Sequence, residues 1–185
     1  GDAAWFVDAL YSIGIETAVA AAALGARIVT YDRFRDNREE IAARVLAETG
    51  GTLVPPFDHP LIIAGQGTAT LELLEEVPDL DALVVCVGGG GLISGSATIA
   101  KSIRPGIRVF GVEPELANDT YQSLIKGEHV TIPPPDTIAD GLRSPSPGKL
   151  TFPIIQKHVE RILLVTEDEI RAAMRLILER MKILV

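Results

Sequence analysis

With 185 residues, 47% of them hydrophobic and few aromatic, the chain is long enough to bury a core as one or two α/β domains. Its 17 basic residues are scattered among 25 acidic ones, for a net charge of −8, which argues against a nucleic-acid surface because neutralising phosphates needs clustered Lys and Arg. Apolar runs such as 18–24 fall short of the roughly 18 residues that span a bilayer, so no membrane segment is expected. The single cysteine, Cys86, excludes a disulfide framework and points to a reducing, cytoplasmic compartment.

The chain starts at Gly1 without an initiator methionine, a basic leader or a cleavage pattern, as expected of a processed or excised piece. Residues 15–24 read as an alanine-rich helix closed by Gly25, 27–31 as a short alternating strand, and 37–48 as a helix with Ile41, Val45 and Leu46 on one face. Gly50-Gly51 stops that helix. A brief strand over 52–54 ends at Pro55-Pro56, and Phe57-Asp58-His59-Pro60 turns the chain into a short extended segment over 62–64. Gly65-Gln66-Gly67-Thr68 then opens a helix through Val77, with Thr68 as its N-cap.

Strand 81–87, a four-glycine loop, helix 93–102 and strand 108–112 compose one βαβ unit, which implies a parallel sheet with helices on both faces. Cys86, inside the most hydrophobic strand, reads as a small core residue. A helix follows over 117–126. The proline-rich stretch 130–147 carries Ile138 and Leu142, too aliphatic for a solvated spacer. Helix 152–158 and strand 161–165 lead to Thr166-Glu167-Asp168-Glu169, a capping box for a closing helix. That helix carries Ile170, Met174, Ile177 and Met181 as a stripe expected to be buried, and 182–185 reads as the start of another strand. His59, His129 and His158 have no mutual metal-ligand spacing and read as surface or turn residues.

The most informative stretch is Val87-Gly88-Gly89-Gly90-Gly91-Leu92, between a strand and a helix. Glycines take positive φ freely, so successive N–H groups can converge, and the following helix adds the positive end of its dipole. A phosphate is the natural occupant. A strand-to-helix turn without a ligand would need only one or two glycines.

These glycines, with Gly111-Val112-Glu113-Pro114 through Asp119, Thr137-Ile138-Ala139-Asp140-Gly141, Val165 through Ile170 and Gly65-Gln66-Gly67-Thr68, resemble in order and spacing the pyridoxal-phosphate enzymes of the serine/threonine dehydratase and serine racemase family. The resemblance covers 16–185. It implies the second pyridoxal-phosphate fold type, incomplete here, with 1–62 a remnant of the smaller domain and 63–185 a truncated larger, cofactor-binding domain. It also implies that Gly88, Gly89, Gly90 and Gly91, with the Leu92 amide, bind the cofactor phosphate, and that Gly141 lies near the cofactor ring. Glu113, the Ala117 carbonyl and Asp119 resemble the family's divalent-cation site, hard oxygen ligands suited to Mg2+, Mn2+ or Ca2+. The partners implied are a small amino-acid substrate and further copies of the chain in a homo-oligomer.

The departures from the pattern carry equal weight. The family's Schiff-base lysine sits in a Ser-Phe-Lys-type motif that this sequence lacks, and its five lysines, Lys101, Lys126, Lys149, Lys157 and Lys182, all fall in segments matched to other parts of the pattern. The Ser-x-Gly-Asn-His substrate segment and the C-terminal Ser or Thr for the pyridine nitrogen are absent too, and 1–14 matches nothing in the family. The complete enzyme is expected to dehydrate L-serine or L-threonine to a 2-oxo acid and ammonia, or to racemise serine, whereas this chain alone is expected to bind without turnover. Two further readings stay open. A dinucleotide-binding oxidoreductase would place Glu113 on a ribose, although Ser94 stands where its third glycine belongs; a non-catalytic module would use the scaffold to hold a partner subunit.

Overall fold

The computed structural model describes residue 25 and residues 27–32 and 35–184; the helix expected over 15–24 lies outside them. The chain divides into two compact units, Gly1–Val54 and Pro55–Val185. In the first, α1 (Arg38–Thr49) starts at Asn37, whose side-chain oxygen accepts the amides of Glu39 and Glu40, and stops at Gly50 with φ +66°. Both ends follow from residue type: a short acceptor satisfies orphan amides at the start, and only glycine takes the left-handed exit without strain. Ile41, Val45 and Leu46 are half-buried along one side. The segments 27–31 and 52–54 form no strand among the described residues, because runs this short persist as strands only against a partner.

In the second unit, α2 (Pro60–Glu76) begins five residues before the expected Gly65. His59 is its N-cap, its Nδ1 accepting the Leu61 amide at 3.3 Å, and Pro60 fills the first helical position, where a missing N–H costs nothing. Thr68 is therefore internal to the helix and donates its hydroxyl to the Gly65 carbonyl at 2.8 Å, and no extended segment exists over 62–64. Residue 62 lies in the first turn of α2, and the two compact units divide between Val54 and Pro55. The glycines of α2 serve packing. A Cβ on Gly67 would approach the Gly95 carbonyl oxygen to 3.0 Å, and one on Gly95 would meet the Ile63 carbonyl oxygen at 2.2 Å, so α2 and α3 (Gly91–Ile103) cross with backbones nearly touching.

The sheet comprises β1 (Ala82–Cys86), β2 (Arg108–Pro114) and β3 (Arg161–Val165), all parallel in that order, with Val84 beside Phe110 beside Arg161. On one face Leu83, Val85, Val109 and Ile162 pack with Ile93, Ala97 and Ala100 of α3 and Ile155 of α5 (Thr151–His158). Each of the Val, Leu and Ile side chains, fully buried, contributes about 1.5–3 kcal/mol. α4 (Asp119–Lys126) follows β2.

The other face is bare in part: Val84 is 59% exposed, Leu163 37%, and Cys86 is exposed, which corrects the reading of that cysteine as core. The strand alternation set its side of the sheet, and that side is exposed at Cys86. Phe110 is buried there beneath two guanidinium groups, Arg108 at 4.8 Å and Arg161 at 5.7 Å from the ring centroid.

α6 (Glu167–Met181) carries both halves of the expected capping box, Glu169 N to Thr166 Oγ1 at 3.2 Å and Thr166 N to Glu169 Oε2 at 2.8 Å. Its apolar stripe is not buried: Met174 is 39% and Met181 62% exposed. After it, 182–184 form no strand, and Lys182 ends the helix in the left-handed region. No helix among the described residues is long and apolar enough to cross a membrane.

Candidate active site

The four glycines join β1 to the N-terminus of α3, and tight neighbours explain each of them. Phe57 lies flat on the loop, so that a Cβ on Gly89 would fall 2.3 Å from its ring and one on Gly91 would fall 2.9 Å from its Cβ. Gly90 has φ +91°, and a Cβ there would meet the Thr151 hydroxyl at 2.8 Å. A Cβ on Gly88 would stand 3.2 Å from the Gly141 carbonyl oxygen.

The loop amides are unspent. Among the described residues, no acceptor receives the N–H of Gly88, Gly89, Gly90, Gly91, Leu92 or Ile93; the first amide of the run that bonds is Ser94, to the Gly90 carbonyl. Buried amides without acceptors are rare in folded proteins, and Gly89, Gly90 and Gly91 are buried. With the positive end of α3 behind them, they suit an oxyanion.

The residues carried over by resemblance meet in space. Gly141 sits against Gly88 although 53 positions separate them. Its segment is tied to the start of α6: the Thr137 hydroxyl donates to Glu167 Oε1 at 2.5 Å, and the Ile138 amide donates to Glu167 Oε2 at 2.8 Å. Burial opposes the Glu167 charge, yet these bonds and nearby Arg171 and Arg143 hold its carboxyl below the usual range.

Glu113 and Asp119 are both buried, at 0% and 1% exposure, and the intervening Ala117 is at 0%. Glu113 lies one residue before the end of β2 and its two oxygens accept the amides of Thr120 and Tyr121 at 3.1 and 2.9 Å, at the N-terminus of α4. Among the described residues neither Asp119 carboxylate oxygen has a hydrogen-bond partner. Burial pushes Glu113 up to about 7, against the pull of those amides; burial and then the Glu113 charge push Asp119 up to about 8. Two buried carboxylates with one left unpartnered fit a cation between them. Among the described residues no group of three or more His, Cys, Asp or Glu could hold a metal. Glu113 faces inward to α4, which removes the ribose contact required by a dinucleotide reading.

Sequence reasoning missed three residues. Phe57 floors the loop, Asp58 accepts the amides of Lys149 and Leu150 at 3.0 and 2.8 Å, and Thr151 donates to the Gly89 carbonyl at 2.7 Å. Only Asp58 had a local signal, as the acidic member of a turn.

The model of the family described as pyridoxal-phosphate dependent enzyme matches residues 14–185. The chain is 51% identical over 166 residues to the L-threo-3-hydroxyaspartate ammonia-lyase of Saccharomyces cerevisiae, covering 90% of this chain and 51% of that protein. It is 48% identical to the serine racemase of Schizosaccharomyces pombe, covering 87% of this chain and 50% of that one. The solved structure of maize serine racemase superposes with a TM-score of 0.85 at 40% identity, covering 91% of this chain and 52% of that one. The chain thus spans about half the length of the curated relatives it matches.

Proposed function

This chain belongs to the pyridoxal-phosphate dependent enzymes, and from that premise we propose that the whole protein dehydrates a β-hydroxy amino acid, releasing a 2-oxo acid and ammonia. The observation that carries the reading is the set of unspent amides at the N-terminus of α3. Gly88, Gly89, Gly90, Gly91 and Leu92 would hold the cofactor phosphate through their N–H groups, with Gly141 alongside, near the ring. When bound, pyridoxal phosphate supplies an electron sink for the carbanion left at the substrate Cα. This chain's own part is binding and orientation. It fixes the phosphate with dipoles already aligned, so no reorganisation is needed when charge arrives. Glu113, the Ala117 carbonyl and Asp119 would hold Mg2+, Mn2+ or Ca2+, which would neutralise two carboxylates that burial otherwise protonates.

No lysine in this sequence occupies a Schiff-base motif, so the chain alone would bind cofactor without turning substrate over. Residues 1–62 are read as part of a smaller domain and 63–185 as part of the larger, cofactor-binding one. The protein is read as a homo-oligomer in the cytoplasm.

A second reading, serine racemisation, is favoured by the 48% identity to a serine racemase. Incubating the whole protein with pyridoxal phosphate, a divalent cation and L-serine, L-threonine or L-threo-3-hydroxyaspartate tests both. Steady 2-oxo acid formation supports dehydration, accumulation of D-serine without it supports racemisation, and neither product overturns the proposal.

A further inference from the structure

We infer that Thr151, held by Asp58, is a positioning residue of the anion cradle: its hydroxyl turns the Gly89–Gly90 peptide so that the Gly90 N–H faces the ligand. This rests on the phosphate reading of the loop. The Gly89 carbonyl accepts two hydrogen bonds from the same side, one from the Gly148 amide at 3.0 Å and one from the Thr151 hydroxyl at 2.7 Å. A trans peptide directs its N–H opposite to its C=O, and this chain has no cis peptide among the described residues. Anchoring that carbonyl toward 148–151 therefore aims the Gly90 amide away from it, and no described acceptor receives that amide.

The anchor is itself rigid. Thr151 is fully buried, its carbonyl accepts the Ser94 hydroxyl from α3 at 3.3 Å, and its hydroxyl also reaches the Gly148 carbonyl at 3.3 Å. Asp58 fixes the turn from the other side by accepting two successive amides, Lys149 and Leu150, just ahead of α5. Its Oδ1 would lie 2.3 Å from a Cβ on Gly148, so only a glycine lets the turn approach Asp58 this closely. Left-handed Gly90, with φ +91°, admits other peptide orientations at little cost, so without the anchor the Gly89–Gly90 unit is free to flip.

The test compares the affinities of the whole protein for pyridoxal phosphate and for pyridoxal, which differ only in the phosphate. Binding is read by cofactor absorbance. Thr151→Val keeps the shape and removes the donor, and it is expected to reduce the ratio of the two affinities about tenfold, the effect of losing one well-aligned hydrogen bond. Affinity for pyridoxal should stay as in the parent. Thr151→Ser, which retains the hydroxyl, should restore the ratio, and Asp58→Ala, at a half-buried turn, should reduce it in the same direction.

An unchanged ratio in Thr151→Val or in Asp58→Ala, or failure of Thr151→Ser to restore it, overturns the inference. Asp58→Ala decides the matter if Thr151→Val does not fold. A parent protein that binds both forms equally well would instead overturn the phosphate reading of the loop.

Discussion

A carboxyl group pays for burial by holding its proton, and Glu113 and Asp119 make that visible. Both have folded values, about 7 and about 8, above the ordinary carboxylate range because they are out of water, and the Glu113 charge adds to the rise at Asp119. A raised folded value favours the folded state while the proton is on. The contribution is complete below about pH 4 and is lost as pH rises through the folded values. Without divalent cation, Tm should therefore fall between pH 5 and pH 8, and adding Mg2+ or Ca2+ should recover it most at pH 8. The double variant Glu113→Gln, Asp119→Asn should flatten both responses. A parent Tm that rises toward pH 8 in chelator would contradict the assignment.

At this scale the sequence was legible where a residue type has few uses. Four consecutive glycines have little purpose but close approach and positive φ, and Phe57 and Thr151 press on them accordingly. Thr151 itself was opaque, because its partner Gly89 lies 62 positions away and a threonine at a helix start has many bland uses. Cys86 shows the converse limit. Alternation assigns a side of the strand, but whether anything covers that side depends on other elements.

Among elements, capping chemistry read true where cap and first turn stand together, as in Thr166 with Glu169, whereas Asn37, read as the first helical residue, is the cap of α1. It failed at α2, where Gly65 and Gly67 looked like a helix opening. Gly67 is a packing glycine, and the start is marked instead by His59-Pro60, a weaker signal. The α6 cap also has a longer reach. Glu167 holds the Thr137 hydroxyl and the Ile138 amide, so the start of this helix fixes the segment that carries Gly141.

Thr166→Ala should cost about 1 kcal/mol by loss of the cap. Glu167→Ala should in addition loosen 137–141, seen as faster amide exchange at Ile138 with the α3 amides unchanged. Equal exchange in both variants would show that the two segments are not coupled through Glu167.

For the whole molecule, the parallel βαβ order was readable from alternation of strand and helix patterns, and all three strands fell within two residues of their expected ends. What composition could not reveal is how much apolar surface this length of chain leaves uncovered. Val84 and Leu163 on the sheet and Leu176, Leu178 and Met181 on α6 are all substantially exposed. Exposed apolar groups of this size drive association. Expressed by itself, the chain should self-associate at micromolar concentration, and Val84→Lys with Leu163→Lys should shift it toward monomer in sedimentation velocity. Monomeric behaviour of the parent chain would show that the open face is not adhesive.

The central claim is that backbone amides around Gly90 receive a phosphate. The measurement that tests it most directly is a crystal structure of the whole protein with pyridoxal phosphate bound. The account predicts phosphate oxygens at about 2.7–3.2 Å from the amide nitrogens of the Gly88–Leu92 loop, with the Gly89 carbonyl still turned toward Thr151. A phosphate bound elsewhere, or loop amides paired with protein carbonyls while the cofactor is present, would contradict it.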